Sequence, residues 1–213
     1  MRLFLLFLLL PAGLALEAQE AFEGSLVFQV SMQGPEAEQL KLNEPNTRLT
    51  MHLRGGDYII LLSGGQYPKT FLFLSDSNYE YSLDAASKRA FRFSPFSDLV
   101  RERDTAQARP TGRSAEVMGV LCQEYAMRSD DARFLFYVSD AYRVDRSRYP
   151  KRPRSKASFL AAGLEGRIPL KTVKQQKDLT VTTLITEIKP RALSQSQFLI
   201  PPGFVVHKRD YRY

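Results

Sequence analysis

The sequence predicts a mainly β protein in which short antiparallel strands follow one another as a meander. Runs rich in Val, Ile, Phe, Tyr and Leu recur at short spacing between Gly, Pro, Asn, Asp and Ser. Several of these runs alternate apolar and polar positions, and no apolar stripe of roughly 3.6-residue period reaches a comparable length. With 213 residues, 44% of them hydrophobic and 25% charged, the composition is that of a globular chain. It excludes a disordered tail, a collagen repeat and a multi-span membrane protein, and the length fits one domain.

Residues 1–18 read as a secretory signal peptide. Arg2 precedes the apolar run Leu3 to Leu10, Pro11 breaks it, and small residues lead to Ala15 or Ala18. The run is shorter than the roughly 20 residues needed to span a hydrocarbon core. Cleavage after Ala15 has Gly13 three residues back, whereas cleavage after Ala18 leaves Gln19 first. No Cys lies near this boundary, so a lipid anchor is not expected. The expectation is an exported, periplasmic or secreted protein whose residues 19–213 form a single domain.

The elements follow in order. Phe22 to Gln33 alternates, with Leu26, Phe28, Val30 and Met32 on one face, and Arg48 to Leu53 does the same through Leu49, Met51 and Leu53. Gly55-Gly56 turns the chain into Tyr58 to Leu62, and Gly64-Gly65 turns it toward Phe71 to Leu74. Asn78 to Leu83 and Lys88 to Phe93 continue the meander. Ser94 to Arg113 loses the alternation and contains Pro95 and Pro110, so a loop or short helix is expected there. Strands resume at Glu116 to Met127 and Arg133 to Val138, and Ser155 to Leu164 has room for one or two helical turns before Gly166. A hairpin of Ile168 to Lys174 with Leu179 to Ile188 completes about ten strands. Their edges must close, curl or be covered. Tyr58 to Leu62 and Phe71 to Leu74 are apolar at consecutive positions, so both faces of the sheet should be shielded there.

Signals for chemistry are sparse. One Cys and two His leave no zinc cluster, disulfide framework or catalytic triad in view. Cys122 is expected to be buried in a strand, and His52 and His207 to be solvated. Leu62-Ser63-Gly64-Gly65-Gln66 matches the signature loop of ATP-binding-cassette ATPases, yet no Gly-x-x-x-x-Gly-Lys-Ser/Thr accompanies it, and we read it as a turn. No enzyme, cofactor or metal is expected, and export argues against a nucleic-acid partner. Arg143 to Lys156 carries much of the net charge of +7 among two prolines. Within it Arg146, Arg148, Lys151, Arg152 and Arg154 are candidates for contact with anionic headgroups at a membrane surface.

Phe22-Glu23-Gly24, the stretch Met118 to Tyr125, Gly166 to Lys171, and the closing Phe198 to Phe204 together resemble a secreted domain family of unknown function. That family is similar to envelope proteins built like the LolA and LppX lipoprotein carriers. The resemblance implies a curved antiparallel half-barrel whose concave apolar face is covered by one to three short helices. In the carriers that cavity accepts acyl chains. Their functional arginine and gating residues have no matching positions here, so lipoprotein carriage itself is not implied. Gly163 to Ile168 also looks like the Gly-Leu-Pro-Gly-Leu-Ile signature of another exported family, but departs at Glu165 and Arg167.

The expected function is non-enzymatic binding or carriage of a lipid or acyl chain. Leu26, Phe28, Ile60, Leu62, Phe71, Phe73, Phe91 and Phe93 are the candidate lining residues. The alternative is a structural module that binds another envelope protein through a sheet edge or the basic loop. A small outer-membrane barrel is disfavoured, because apolar outward-facing strands of about 9–11 residues are not evident.

Overall fold

The computed structural model describes residues 21–38, 47–64, 68–93, 106–129, 131–149 and 163–208. Residues 1–18 lie outside this range. The strands are β1 (Gly24–Gln33), β2 (Arg48–Arg54), β3 (Asp57–Ser63), β4 (Lys69–Leu74), β5 (Tyr79–Asp84), β6 (Arg89–Phe93), β7 (Arg109–Val117), β8 (Val120–Arg128), β9 (Arg133–Arg143), β10 (Arg167–Gln175), β11 (Thr180–Pro190) and β12 (Val205–Lys208). They form one open 12-stranded sheet in the order β12-β6-β5-β4-β3-β2-β1-β11-β10-β9-β8-β7. Among these strands every pairing is antiparallel except the parallel contact of β12 with β6. Two meanders, β1 to β6 and β7 to β11, are thus joined by their long strands β1 and β11, paired from Gly24↔Pro190 to Gln33↔Thr180 with a bulge between Val27 and Phe28.

The sheet is strongly bent. The Phe22 N–H donates to the Arg143 carbonyl at 2.6 Å, although β10 and β11 separate β1 from β9 in the sheet order. A flat sheet would hold those two strands about 14 Å apart at its usual strand spacing. Phe22 stands only two residues before β1, a reach of about 7 Å. The segment after β9 makes the same point. It contains a 3-10 turn at Arg146–Arg148, and it ends with the Tyr149 ring stacked 6.4 Å from Tyr58 and 6.2 Å from Phe73. It therefore straps β9 to β3 and β4 across the inner face.

Several expectations change. Glu116 to Met127 is a hairpin, not one strand, because Met118 and Gly119 both adopt positive φ, +51° and +76°. Those are the angles of the tight turn whose twist suits antiparallel strands. Within the expected loop or helix at Ser94 to Arg113, residues from Arg109 onward belong to β7. Pro110 is tolerated there because β7 is an edge strand, where a missing N–H breaks no ladder bond. The covering helices are not found among the described residues. Helical backbone there is limited to Ala37 and Glu38 and the 3-10 turns Arg146–Arg148 and Gln195–Phe198. The helical turns expected at Ser155 to Leu164 fall outside the described residues up to residue 162.

Both faces of β3 and β4 are shielded, as their continuous apolar runs predict. Tyr58, Ile60, Phe71 and Phe73 face the main core inside the bend. Ile59, Leu72 and Leu74 face a second cluster outside it, with Tyr81, Ala90, Leu193 and Phe198. The outer cover is the chain's own C-terminal segment. Its 3-10 turn, capped by the Ser194 side chain, buries Phe198 completely.

Phe22-Glu23-Gly24 builds this frame. Glu23 accepts from the Leu193 N–H through its side chain at 2.9 Å and from the Arg191 N–H through its carbonyl at 3.2 Å. Gly24 has φ +148°, and a Cβ there would meet the Lys189 carbonyl oxygen at 2.2 Å. Only glycine lets β1 and the end of β11 approach so closely.

Candidate functional site

The inner face of the first meander is read most simply as rows of paired residues. One row is Leu26, Met51, Ile60, Phe71, Ser82, Phe91. The next is Gly24, Leu53, Tyr58, Phe73, Glu80, Phe93. A third brings Phe28 beside Leu49 and Leu62. All the lining residues expected from the sequence therefore share one face, because strand side chains alternate with period two.

Burial falls along these rows. Leu26, Phe28, Ile60, Phe71 and Phe73 are buried in the main core. Leu62, Phe91 and Phe93 are half-buried. The first group is a packed floor, and the apolar face becomes more accessible toward β5 and β6.

A polar pair interrupts this floor. The Tyr58 hydroxyl donates to Glu80 Oε2 at 2.6 Å, and both residues are buried. Tyr58 and Phe73 stack at 5.1 Å, with Tyr149 of the strap closing the group. Burial, followed by the nearby Asp57 carboxylate, holds the Tyr149 hydroxyl far above the ordinary phenol range. Tyr58 and Glu80 are not among the lining residues expected from the sequence, yet the same alternation that selects Phe71 and Phe73 places them on the inner face.

Arg146 and Arg148 sit on the strap. Arg146 Nη1 donates to the Tyr149 carbonyl at 2.7 Å, and Arg148 Nε donates to Asp145 Oδ2 at 3.3 Å. Lys151, Arg152 and Arg154 lie outside the described residues. Cys122 is fully buried, as expected, and burial pushes its thiol pKa up. His207 is exposed, with its ring 5.8 Å from that of Phe91. His52 departs from expectation. It lies on the outer face but is half-buried, with Nδ1 2.8 Å from Ser25 Oγ. Burial first, and Arg191 second, lower its pKa. Among the described residues no group of His, Cys, Asp and Glu is placed to hold a metal ion, and no helix is long and apolar enough to cross a membrane.

A second polar feature lies at the other edge of the sheet. The β7–β8 register skips between Pro110 and Ser114, so β7 bulges over the buried Glu124. Arg113 fills the gap and bonds Glu124 Oε1 through Nη2 and, at 2.9 Å, through Nε. Thr111 Oγ1 donates to the same oxygen at 3.0 Å, and the Tyr137 hydroxyl donates to Oε2 at 2.9 Å. Burial raises the Glu124 pKa, but the Arg113, Tyr137 and Thr111 hydrogen bonds outweigh it and leave the carboxyl below its usual range. A cavity of about 530 Å³ opens beside the bulge. Glu124 and Tyr137 are directly opposed in the β8–β9 ladder, but nothing in the sequence pattern marks Thr111 and Arg113 as their partners, because these two reach Glu124 only through the bulge.

Fold and site together define a mainly β protein with an open, bent sheet and an apolar inner face. The family model for a domain of unknown function, DUF4412, matches residues 22–204. The chain belongs to this family. Among solved structures it is similar to an uncharacterized conserved protein from Thermus thermophilus, at 11% identity and TM-score 0.50, over 86% of this chain and 90% of that one. It is also similar to PNGF-II in the P21 space group, at 10% identity and TM-score 0.50, over 89% of this chain. There the match spans only 32% of PNGF-II. At such identities the likeness shows the fold alone. A search of the curated proteins finds no match.

Proposed function

We propose that this protein is an exported, non-enzymatic envelope module that holds a lipid or acyl chain against the inner face of its bent sheet, as the LolA and LppX carriers do. One observation carries the reading. Leu62 borders the packed core, and Phe91 and Phe93 stand on the same face beyond Ser82 and Glu80, all three half-buried, so an apolar guest would find further apolar side chains beside the core. Leu26, Phe28, Ile60, Phe71 and Phe73 then act as the floor, and Leu62, Phe91 and Phe93 as the contact surface.

Native mass spectrometry of the protein purified from its own compartment tests this. A co-purified lipid, lost in Phe91→Asp or Phe93→Asp variants that keep the parent's circular dichroism, is the expected result. A ligand-free parent that also takes up no fluorescent fatty acid would overturn it. Export is tested separately, by N-terminal sequencing after cell fractionation. The headgroup role of Arg146, Arg148, Lys151, Arg152 and Arg154 predicts that charge reversal at Arg152 and Arg154 weakens binding to anionic liposomes at low salt.

A second reading rests on the outer edge of the sheet. β12 is an edge strand with Val205 and Val206 exposed, and such an edge can accept a strand from another envelope protein. In-cell cross-linking from this edge would capture that partner.

A further inference from the structure

From the geometry at the β7 bulge we infer a second binding site, independent of the apolar face, for a neutral polyhydroxylated ligand: a sugar unit of a glycan. The cavity is lined by Arg113 and Ser114 of β7, Leu121, Gln123 and Glu124 of β8, Ser139 and Asp140 of β9, and Arg167 of β10. Its volume of about 530 Å³ lies within the roughly 300–1,000 Å³ of small-molecule sites.

Charge decides against an ionic ligand. The cavity holds two guanidinium groups and two carboxylates. Arg113 is bonded to Glu124, and Arg167 Nε donates to Asp140 Oδ1 at 2.7 Å. Each guanidinium therefore faces an internal carboxylate, so the charges of the cavity are balanced and an ionic ligand meets an opposite charge already neutralised. A hydroxylated ligand needs no opposite charge, because each of its hydroxyls both donates and accepts.

The lining supplies the matching groups. Gln123, Ser114 and Ser139 line the cavity, and amide and hydroxyl groups can both donate and accept. Leu121 adds an apolar surface that is 72% exposed. A large apolar side chain left in water beside planar polar groups suits the C–H face of a pyranose ring, whose hydroxyls point to the rim. Arg167 is also bonded to the Tyr125 hydroxyl at 3.4 Å and lies 5.7 Å over its ring, which ties that wall of the cavity to β8.

Titration of the full chain with cellotriose, maltotriose and tri-N-acetylchitotriose, followed by backbone amide NMR, tests the assignment. Inorganic phosphate serves as the ionic control. At least one trisaccharide should shift the amides of Ser114, Gln123 and Ser139, and phosphate should not. Gln123→Ala and Leu121→Ala should each weaken that binding about fivefold, the effect of one lost contact of about 1 kcal/mol, with no change in thermal midpoint. Absence of shifts with every trisaccharide, phosphate binding at these amides, or trisaccharide affinity unaltered in both variants would each overturn the inference. Loss of fatty-acid uptake in Phe91→Asp leaves this site intact, so the two proposals fail separately.

Discussion

The Tyr58 hydroxyl donates to the Glu80 carboxylate at 2.6 Å inside an otherwise apolar wall. The two residues are joined through the row Tyr58, Phe73, Glu80. A buried carboxylate that loses a hydrogen-bond donor suffers a desolvation cost that the surrounding phenyl rings cannot offset. Tyr58→Phe should therefore lower stability by about 1–3 kcal/mol, measured as a reduced urea midpoint at unchanged slope. A variant as stable as the parent would show that the pair contributes nothing net.

Tyr149 should ionise well above the ordinary phenol range. Burial and the neighbouring Asp57 raise its pKa, so the folded state favours the neutral phenol. The sign follows from linkage: this stabilisation is complete below the unfolded pKa of about 10 and is lost as pH rises through the higher folded value. In a spectrophotometric titration, Tyr149 should contribute a component that appears later than an ordinary phenol. Tyr149→Phe should remove that late component.

Phe198 seals the outer face of β3 to β6. It is fully buried against Leu72, Tyr81 and Ala90. Phe198→Ala should cost about 3–5 kcal/mol through lost transfer energy and the cavity left behind. Because the outer cluster is separate from the inner one, the variant should also bind a hydrophobic dye before global unfolding begins. Calorimetry and dye fluorescence together check this.

Glu124 of β8 holds β7 through Arg113 and β9 through Tyr137. Its net pKa lies below the ordinary value because those hydrogen bonds outweigh burial. Stability from this group is present above the unfolded pKa of about 4.3 and disappears as pH falls through the folded value. Glu124→Gln should cost about 1–2 kcal/mol at neutral pH, toward the low end for charged hydrogen bonds because Arg113 is largely exposed and screened. Denaturation curves of parent and variant should converge in acid.

Much of the strand order is legible in the sequence, for a local reason. Period-two alternation identifies Leu26 and Phe28, or Ile60 and Leu62, as sharing a face without knowledge of what lies opposite. Gly55, at φ +56°, marks its turn equally well. Met118 does not, because nothing about methionine announces a positive φ, and the β7–β8 hairpin reads as one strand. The candidate lining residues fall on one face, but their division into packed floor and accessible rim depends on neighbours that the sequence does not show.

The β class, the succession of hairpins and the apolar face of each strand are thus written in the chain, all of them consequences of backbone geometry over a few residues. Only in the folded molecule does β1 pair with β11 and Glu23 hold Leu193 across 170 positions. The same is true of Glu80 buried beside Tyr58, and of the bulge that brings Arg113 onto Glu124. The cause of this division is the bend of the sheet. Bending joins side chains from strands far apart in sequence, and their partners are set by packing and electrostatics across the fold rather than by any local pattern.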